Sequence, residues 1–195
     1  MPIRLAKPTD ASAILSIYAP YIENTSLTFE LEVPTEQEFA DRITHYLHTW
    51  PWLVFEKNGV IGGYAYASLY RERKGYQWCC ECSIYILDEY KGTGMAKILY
   101  ETLFAILEKQ GYRNVYAVIN LPNDTSVTFH EKCGFTWFAN YENVGFKLGK
   151  WKTVGWWQLR LNSFDDDPEP PVPFSEMDQQ FVSELLLEQS AKLKV

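Results

Sequence analysis

The order of elements in this sequence predicts an α/β (α+β) domain in which a meander of strands leads into two strand–turn–helix units. Three stretches carry that prediction. Trp52-Leu53-Val54-Phe55-Glu56 and Val60 to Leu69 are strand-like runs joined by Lys57-Asn58-Gly59, and Asn-Gly between two such runs is the strongest short hairpin signal. Trp78 to Gly111 reads as a strand, a glycine-bearing turn and a helix. Val115 to Gly134 follows the same order with a shorter helix.

The chain opens on a short alternating strand, Ile3-Arg4-Leu5-Ala6. Thr9 or Asp10 then offers an oxygen to cap a helix over Ala11 to Tyr18, where Ile14, Ile17 and Tyr18 recur at helical spacing. Pro20 is expected to end or kink that helix, leaving Tyr21 to Glu32 as a polar and aromatic segment suited to covering a pocket. Pro34-Thr35 followed by Glu36 and Glu38 starts a second helix, with negative charge in its first turn, running to about Tyr46 or Thr49. After the hairpin, Arg71-Glu72-Arg73-Lys74-Gly75 is a charged loop. A helix from about Thr93 carries Leu99, Leu103, Ile106 and Leu107 as its apolar stripe and stops at Gly111. Val115 to Asn120 is the next strand, Leu121-Pro122-Asn123 a turn, and Asp124 the expected cap of a short helix ending before Gly134. From Phe135 the sequence is aromatic and β-prone, and it ends in a strand over Val154 to Leu161.

The domain is expected to span 1–162. Asp165-Asp166-Asp167-Pro168-Glu169-Pro170-Pro171-Val172-Pro173 then breaks the composition, since acidic, proline-rich sequence favours an extended linker. Beyond it, Phe181, Leu185 and Leu186 are spaced for an amphipathic helix, and residues 163–195 either dock on the body or stay mobile. A length of 195 residues suits one domain plus a tail, and 47% hydrophobic with 22% charged residues suits a globular protein. The net charge of -7 argues against nucleic acid or an acidic membrane as partner, although part of that acidity lies in the linker. No apolar run is long enough to span a bilayer, and because Met1-Pro2-Ile3-Arg4-Leu5 runs straight into a strand-and-helix pattern, no secretory signal is expected there. Four cysteines, three crowded at 79, 80 and 82, make no disulfide framework, so reduced thiols in the cytoplasm are expected.

Within the strand after Trp78, alternation puts Cys80, Cys82, Ile84 and Ile86 on one face and Cys79, Glu81, Ser83 and Tyr85 on the other. The turn Tyr90-Lys91-Gly92-Thr93-Gly94-Met95-Ala96 leads into a helix, and backbone N–H groups at a helix start reached through glycines form a site for phosphate oxygens. Taken alone, the same turn reads more readily as a plain connector, because short glycine motifs match often by chance. It is neither a P-loop nor a dinucleotide fingerprint, because no Gly-Lys-Ser/Thr closes it and the glycine spacing differs.

Further residues make the pattern specific. In order, these are Tyr21-Ile22-Glu23, Tyr76-Gln77-Trp78 with Glu81 and Ser83, Ile84-Tyr85-Ile86, Thr93-Gly94-Met95, Leu121-Pro122-Asn123-Asp124, Ser126-Val127, His130-Glu131, and Gly145-Phe146-Lys147 with Gly149, Trp151 and Val154-Gly155. Over residues 3–161 the chain resembles the GCN5-related N-acetyltransferase (GNAT) superfamily, and within it the phosphinothricin N-acetyltransferase type. The resemblance implies a mixed, mostly antiparallel twisted sheet flanked by helices and splayed between its fourth and fifth strands, with acetyl-CoA in the gap. Ile84, Tyr85 and Ile86 would face the pantetheine through their backbone. Lys91, Gly92, Thr93, Gly94, Met95 and Ala96 would cradle the pyrophosphate, and Asn123 and Ser126 would complete the cofactor side. Lys91 stands where the family usually has Gln or Arg, and Gly92 where a basic or polar residue is common.

The implied reaction moves acetyl from acetyl-CoA to the amine of a small amino-acid-like molecule, of the phosphinothricin, methionine sulfone or methionine sulfoximine type, with related enzymes forming homodimers. The aromatic segment from Phe135 to Trp157 is the expected interface. The attacking amine must lose a proton, which requires a base directly or through one water. Glu81 matches the family glutamate; its bland alternative is a structural carboxylate paired with Arg71 or Arg73. His130 matches a second family position implicated in catalysis and is otherwise a packing residue. Phe29, Arg71, Arg73 and Tyr76 occupy positions near the family's substrate pocket, where an arginine would hold a carboxylate. The cysteines read as core or wall residues, with no metal site expected, because strand neighbours point to opposite faces and no second pair completes a tetrahedral set. Two other readings stay open on sequence alone: acetylation of a protein amine, and a non-catalytic acetyl-CoA-binding module using the acidic tail as a partner-binding arm.

Overall fold

Strand formation follows the two-residue periodicity of the sequence, and the computed structural model describes residues 3–165 and 167–193. Asp166 of the expected linker lies outside the described residues. The elements are β1 (Ile3–Leu5), α1 (Ala11–Asn24), α2 (Glu36–Thr49), β2 (Trp52–Lys57), β3 (Val60–Leu69), β4 (Cys79–Ile86), α3 (Met95–Gln110), β5 (Asn114–Leu121), α4 (Asp124–Lys132), β6 (Thr136–Lys147), β7 (Lys150–Arg160) and α5 (Gln179–Lys192). They form a 7-stranded sheet in the order β1-β2-β3-β4-β5-β7-β6. Every adjacent pair is antiparallel except β4 and β5, which run parallel. The mixed, mostly antiparallel sheet expected from the sequence is present.

Each face of the sheet buries its own core. Beneath α1 and α2 lie Ile14, Ile17, Tyr18, Ile22, Phe39 and Ile43, packed on Trp52, Val54 and Tyr64. The opposite face packs Leu99, Leu103, Ile106 and Leu107 of α3 against Leu53, Ala65, Cys80, Cys82, Val115 and Ala117. β4 supplies both: Cys80, Cys82 and Ile86 point to the α3 side, while Tyr85 meets Tyr18, Tyr21 and Tyr64 on the other. That is the alternation read from the sequence.

Several boundaries differ from the sequence reading. α1 runs through Pro20 to Asn24. Pro20 is exposed, so the carbonyl it leaves without a helical partner can meet water, and burial of Tyr18 before it and Ile22 after it holds the helix together. Asp10 does not cap α1 with its side chain; its oxygens accept from the Arg4 guanidinium at 2.7 and 2.9 Å and from the Lys7 N–H at 2.7 Å. Thr35 does cap α2, accepting from the Glu38 N–H while the Glu38 carboxylate accepts from the Thr35 N–H. α3 begins at Met95, not Thr93, because Thr93 turns its hydroxyl back onto the Tyr90 carbonyl at 2.7 Å and Gly94 takes the left-handed conformation. For α4 the cap is Asn123, whose Oδ1 accepts from the Ser126 N–H, and Asp124 is the first helical residue. The single strand read after Phe135 is the hairpin β6–β7, divided by a turn in which Leu148 and Gly149 both have positive φ.

The tail docks. Phe174, Met177, Val182 and Leu186 enter the core beneath α3. The Ser190 hydroxyl accepts from the Ile3 N–H at 3.2 Å, so α5 covers edge strand β1. The connecting segment is tied down as well: Val172 donates to the Gln110 carbonyl, and the Trp78 indole donates to the Glu169 carbonyl. Among the described residues no helix is long and apolar enough to cross a membrane.

Candidate active site

The parallel pairing of β4 with β5 is short. It joins Cys79 to Asn114, Cys80 to Val115 and Glu81 to Tyr116, and there it stops, although β4 continues to Ile86 and β5 to Leu121. On its other edge β4 stays paired with β3 as far as Ile86 opposite Gly63. From Cys82 to Ile86 the strand therefore has one bonded edge and one edge facing a gap. A cleft of about 450 Å³ fills that gap, walled by Cys82 to Ile86 on one side, Ala117 to Asn120 on the other, and by Lys91, Gly92, Ala96, Tyr100, Asn123, Ser126 and His130 at the helix side. Tyr21 of α1 and Leu27 of the segment after it add to the lining.

The α3 start is built to admit an anion. Gly92 and Gly94 hold φ of 75° and 88°, and a Cβ at either would meet nothing within 4 Å, so the backbone is bare and approachable. The first-turn N–H groups of a helix have no acceptor within it, and they carry the positive end of its dipole. Lys91 is exposed, paired with Asp88, and lies 5.9 Å from the Tyr21 ring centre. The pyrophosphate of a coenzyme A fits this chemistry: bare backbone donors at a helix N-terminus, one adjacent lysine, and an open strand edge leading inward.

Glu81 sits at the fork, in the last pair that β4 makes with β5. It does not line the cleft itself; Cys82, the next residue, begins the wall. Burial pushes its carboxyl up to about 7, with the Arg71 charge pulling the other way. Among the described residues Glu81 makes no ion pair. Arg71 instead stacks over Tyr70 at 5.0 Å and Trp156 at 6.0 Å, and Arg73 and Tyr76 are exposed in the same loop. Phe29 has its ring against Gly145 of β6 and does not line the cleft. The structure therefore brings Ile84, Tyr85, Ile86, Lys91, Gly92, Ala96, Asn123 and Ser126 together around one cleft. Thr93, Gly94 and Met95 lie outside its lining, Met95 being buried in the core beneath α3, and Arg71, Arg73 and Tyr76 sit in the loop preceding β4, also outside the lining.

His130 is buried, and both of its ring nitrogens are engaged. Nδ1 lies 2.8 Å from the Ser126 carbonyl, which can only accept, so Nδ1 carries the proton. Nε2 then accepts from the Tyr100 hydroxyl at 3.0 Å, and the Cys82 thiol reaches the same hydroxyl at 3.5 Å. Burial holds the imidazole below its usual pKa. Tyr100 has no role in the sequence reading; only its distance to His130 singles it out. Tyr21 and Leu27 were legible as part of a covering segment, without a place at the cleft. Burial raises all four cysteine thiols, Cys82 to about 12, which fits their reading as wall residues. Among the described residues no three His, Cys, Asp or Glu groups gather as a metal site.

Comparison with known proteins accords with this geometry. The acetyltransferase (GNAT) domain matches residues 3–156. The chain is 37% identical to a phosphinothricin N-acetyltransferase of Streptomyces viridochromogenes, over 88% of this chain and 91% of that protein. It is 31% identical to an L-methionine sulfoximine/L-methionine sulfone acetyltransferase of Salmonella typhimurium, over 83% and 95%. A phosphinothricin acetyltransferase from Sinorhizobium meliloti, solved in complex with acetyl-CoA, superposes with a TM-score of 0.82 at 31% identity, covering 89% of this chain and 96% of that one. The chain belongs to the GNAT acetyltransferase family.

Proposed function

We propose that this protein transfers acetyl from acetyl-CoA to the primary amine of a small amino-acid-like molecule of the phosphinothricin, methionine sulfone or methionine sulfoximine type. The observation that carries the reading is the position of Glu81: a carboxyl pushed to about 7 by burial, at the point where β4 and β5 part and the cleft begins. Relatives named for these substrates support the acceptor class.

The cosubstrate supplies an activated thioester. Backbone donors from Lys91 to Ala96 would hold its pyrophosphate, and the unpaired edge of Ile84, Tyr85 and Ile86 would align its arm. Asn123 fixes the start of α4, which presents Ser126 to the same cleft. Glu81 takes the proton from the attacking amine through one water, since the carboxyl stands just beyond the cleft wall. His130, with both nitrogens already bonded, acts indirectly by holding Tyr100 against the cleft wall. Arg71 and Arg73, beside Tyr76 and at the Glu81 end of β4, attract the acceptor's carboxylate, and Phe29 anchors the covering segment. The four free thiols suit a reducing compartment, which we take to be the cytoplasm. The apolar surface of β6–β7, with Trp137, Phe146 and Trp151 each more than half exposed, suits pairing with a second copy.

Steady-state turnover with methionine sulfone or phosphinothricin provides the test. Glu81→Gln should lower kcat by roughly 10² to 10⁴-fold, the usual contribution of a general base. An unchanged rate would remove Glu81 from the role.

A further inference from the structure

We propose that the side-chain amide of Asn120 recognises an oxygen on the acceptor's side chain, such as a sulfonyl or phosphinyl oxygen, and thereby sets which amino-acid-like amines are acetylated. This rests on the acetyltransferase reading above and adds a specificity residue to it. Asn120 is 6% exposed, and its Nδ2 has no hydrogen-bond partner within the protein. Among the described residues whose buried side-chain donors lack a partner, Asn120 alone lines the cleft. Trp50, Trp52 and Trp156 also keep an unpaired indole N–H, but Trp50 and Trp52 are buried in the two closed cores, and Trp156, opposite Val118 and beneath Arg71, lies outside the cleft lining.

The side of the sheet decides which molecule this amide meets. Along β5, Val115, Ala117 and Ile119 point into the core under α3. Tyr116, Val118 and Asn120 alternate with them and share the opposite face. Tyr116 is paired with Glu81, so Asn120 lies on the face that carries the proposed base. The glycine turn, α3 and α4, which form the cofactor side, stand on the other face. Leu27, from the segment after α1, lines the same cavity. An unpaired, buried N–H on the acceptor face, several residues along the strand from the base, matches an acceptor whose amine lies toward Glu81 and whose oxygen-bearing end lies further out. A donor left unpaired in a buried site is satisfied by a substrate that brings an oxygen and rejects one that does not.

L-methionine sulfone and L-methionine share a skeleton and differ in the two sulfonyl oxygens, so they separate this contact from everything else. The wild-type chain should have the higher kcat/KM for the sulfone. In Asn120→Leu, of similar volume but without the donor, the sulfone-to-methionine ratio of kcat/KM should fall about tenfold, as expected when a polar site loses its partner. Asn120→Asp keeps the shape and replaces the donor with an acceptor, and the ratio should fall at least as far. That ratio does not depend on how much of a variant is folded. A preserved ratio in both variants, or a change confined to the KM for acetyl-CoA, overturns the assignment while leaving the acetyltransferase reading intact. Turnover of neither amine by a wild type that does acetylate phosphinothricin overturns the Asn120 assignment alone, and turnover of none of the three overturns both.

Discussion

At the scale of single residues, the decisive quantity is the proton on Glu81. Its carboxyl is raised to about 7 mainly by burial, so in the folded protein it is half ionised there and about one-tenth ionised at pH 6. A base must be ionised to work. The acid limb of kcat/KM should therefore fall about tenfold per pH unit below 7, and Glu81→Gln should flatten it. Stability runs the opposite way. A carboxyl with a raised folded pKa contributes stability that is fully present below its unfolded value and is lost as pH rises through about 7. Wild type should accordingly melt below Glu81→Gln at pH 8, with the difference disappearing in acid, as read by calorimetry across the range. A Gln variant that is less stable at pH 8 would mean that Glu81 is held by a partner that stabilises its charge.

At the scale of elements, two attachments invite test. Leu186 on α5 is 9% exposed and belongs to the core beneath α3, although it comes from the tail. Leu186→Ala should cost roughly 2–5 kcal/mol in denaturant unfolding, the range for emptying a core leucine site. A cost near zero would mean that α5 contributes little to the fold. The covering segment after α1 is attached at the other end of the sheet. The Lys147 ammonium donates to the Thr28 carbonyl at 2.9 Å, and a Cβ at Gly145 would stand 2.4 Å from the Phe29 ring. Gly145→Ala must push that ring aside. The expected result is a raised KM for the acceptor with the KM for acetyl-CoA little changed, because Leu27 shares the displaced segment and the cofactor loop does not.

At the scale of the whole molecule, the sheet is covered by helices over most of both faces, but not over β6 and β7. Trp137, Phe138, Val144, Phe146, Leu148 and Trp151 there are 47–63% exposed. So many large apolar groups on one edge hairpin exceed what a monomer usually leaves to water. Sedimentation should find a dimer in the wild type, and the pair Trp137→Glu and Trp151→Glu should yield monomers. A wild-type monomer at micromolar concentration would leave this surface without the partner proposed for it.

Local signals in the sequence determined the hairpin at Asn58-Gly59, the cap at Thr35, the two faces of β4 and the end of α3 at Gly111, because turn chemistry and side-chain alternation act over a few residues. Motif order over 3–161 was enough for the family resemblance. Other features depend on residues far apart in the chain. Pro20 stays helical because packing on both sides of it outweighs one lost hydrogen bond. Asp10 leaves its capping role because Arg4 competes for it. Burial of α5 needs the surface of α3 to exist first. The cleft is the clearest case: alternation puts Glu81, Tyr116 and Asn120 on particular faces, but only the pairing of β4 with β5, and its end at Glu81, brings them to one side of one gap. Periodicity fixes which way a side chain points along its own strand, whereas the distance between strands is set by everything packed against them.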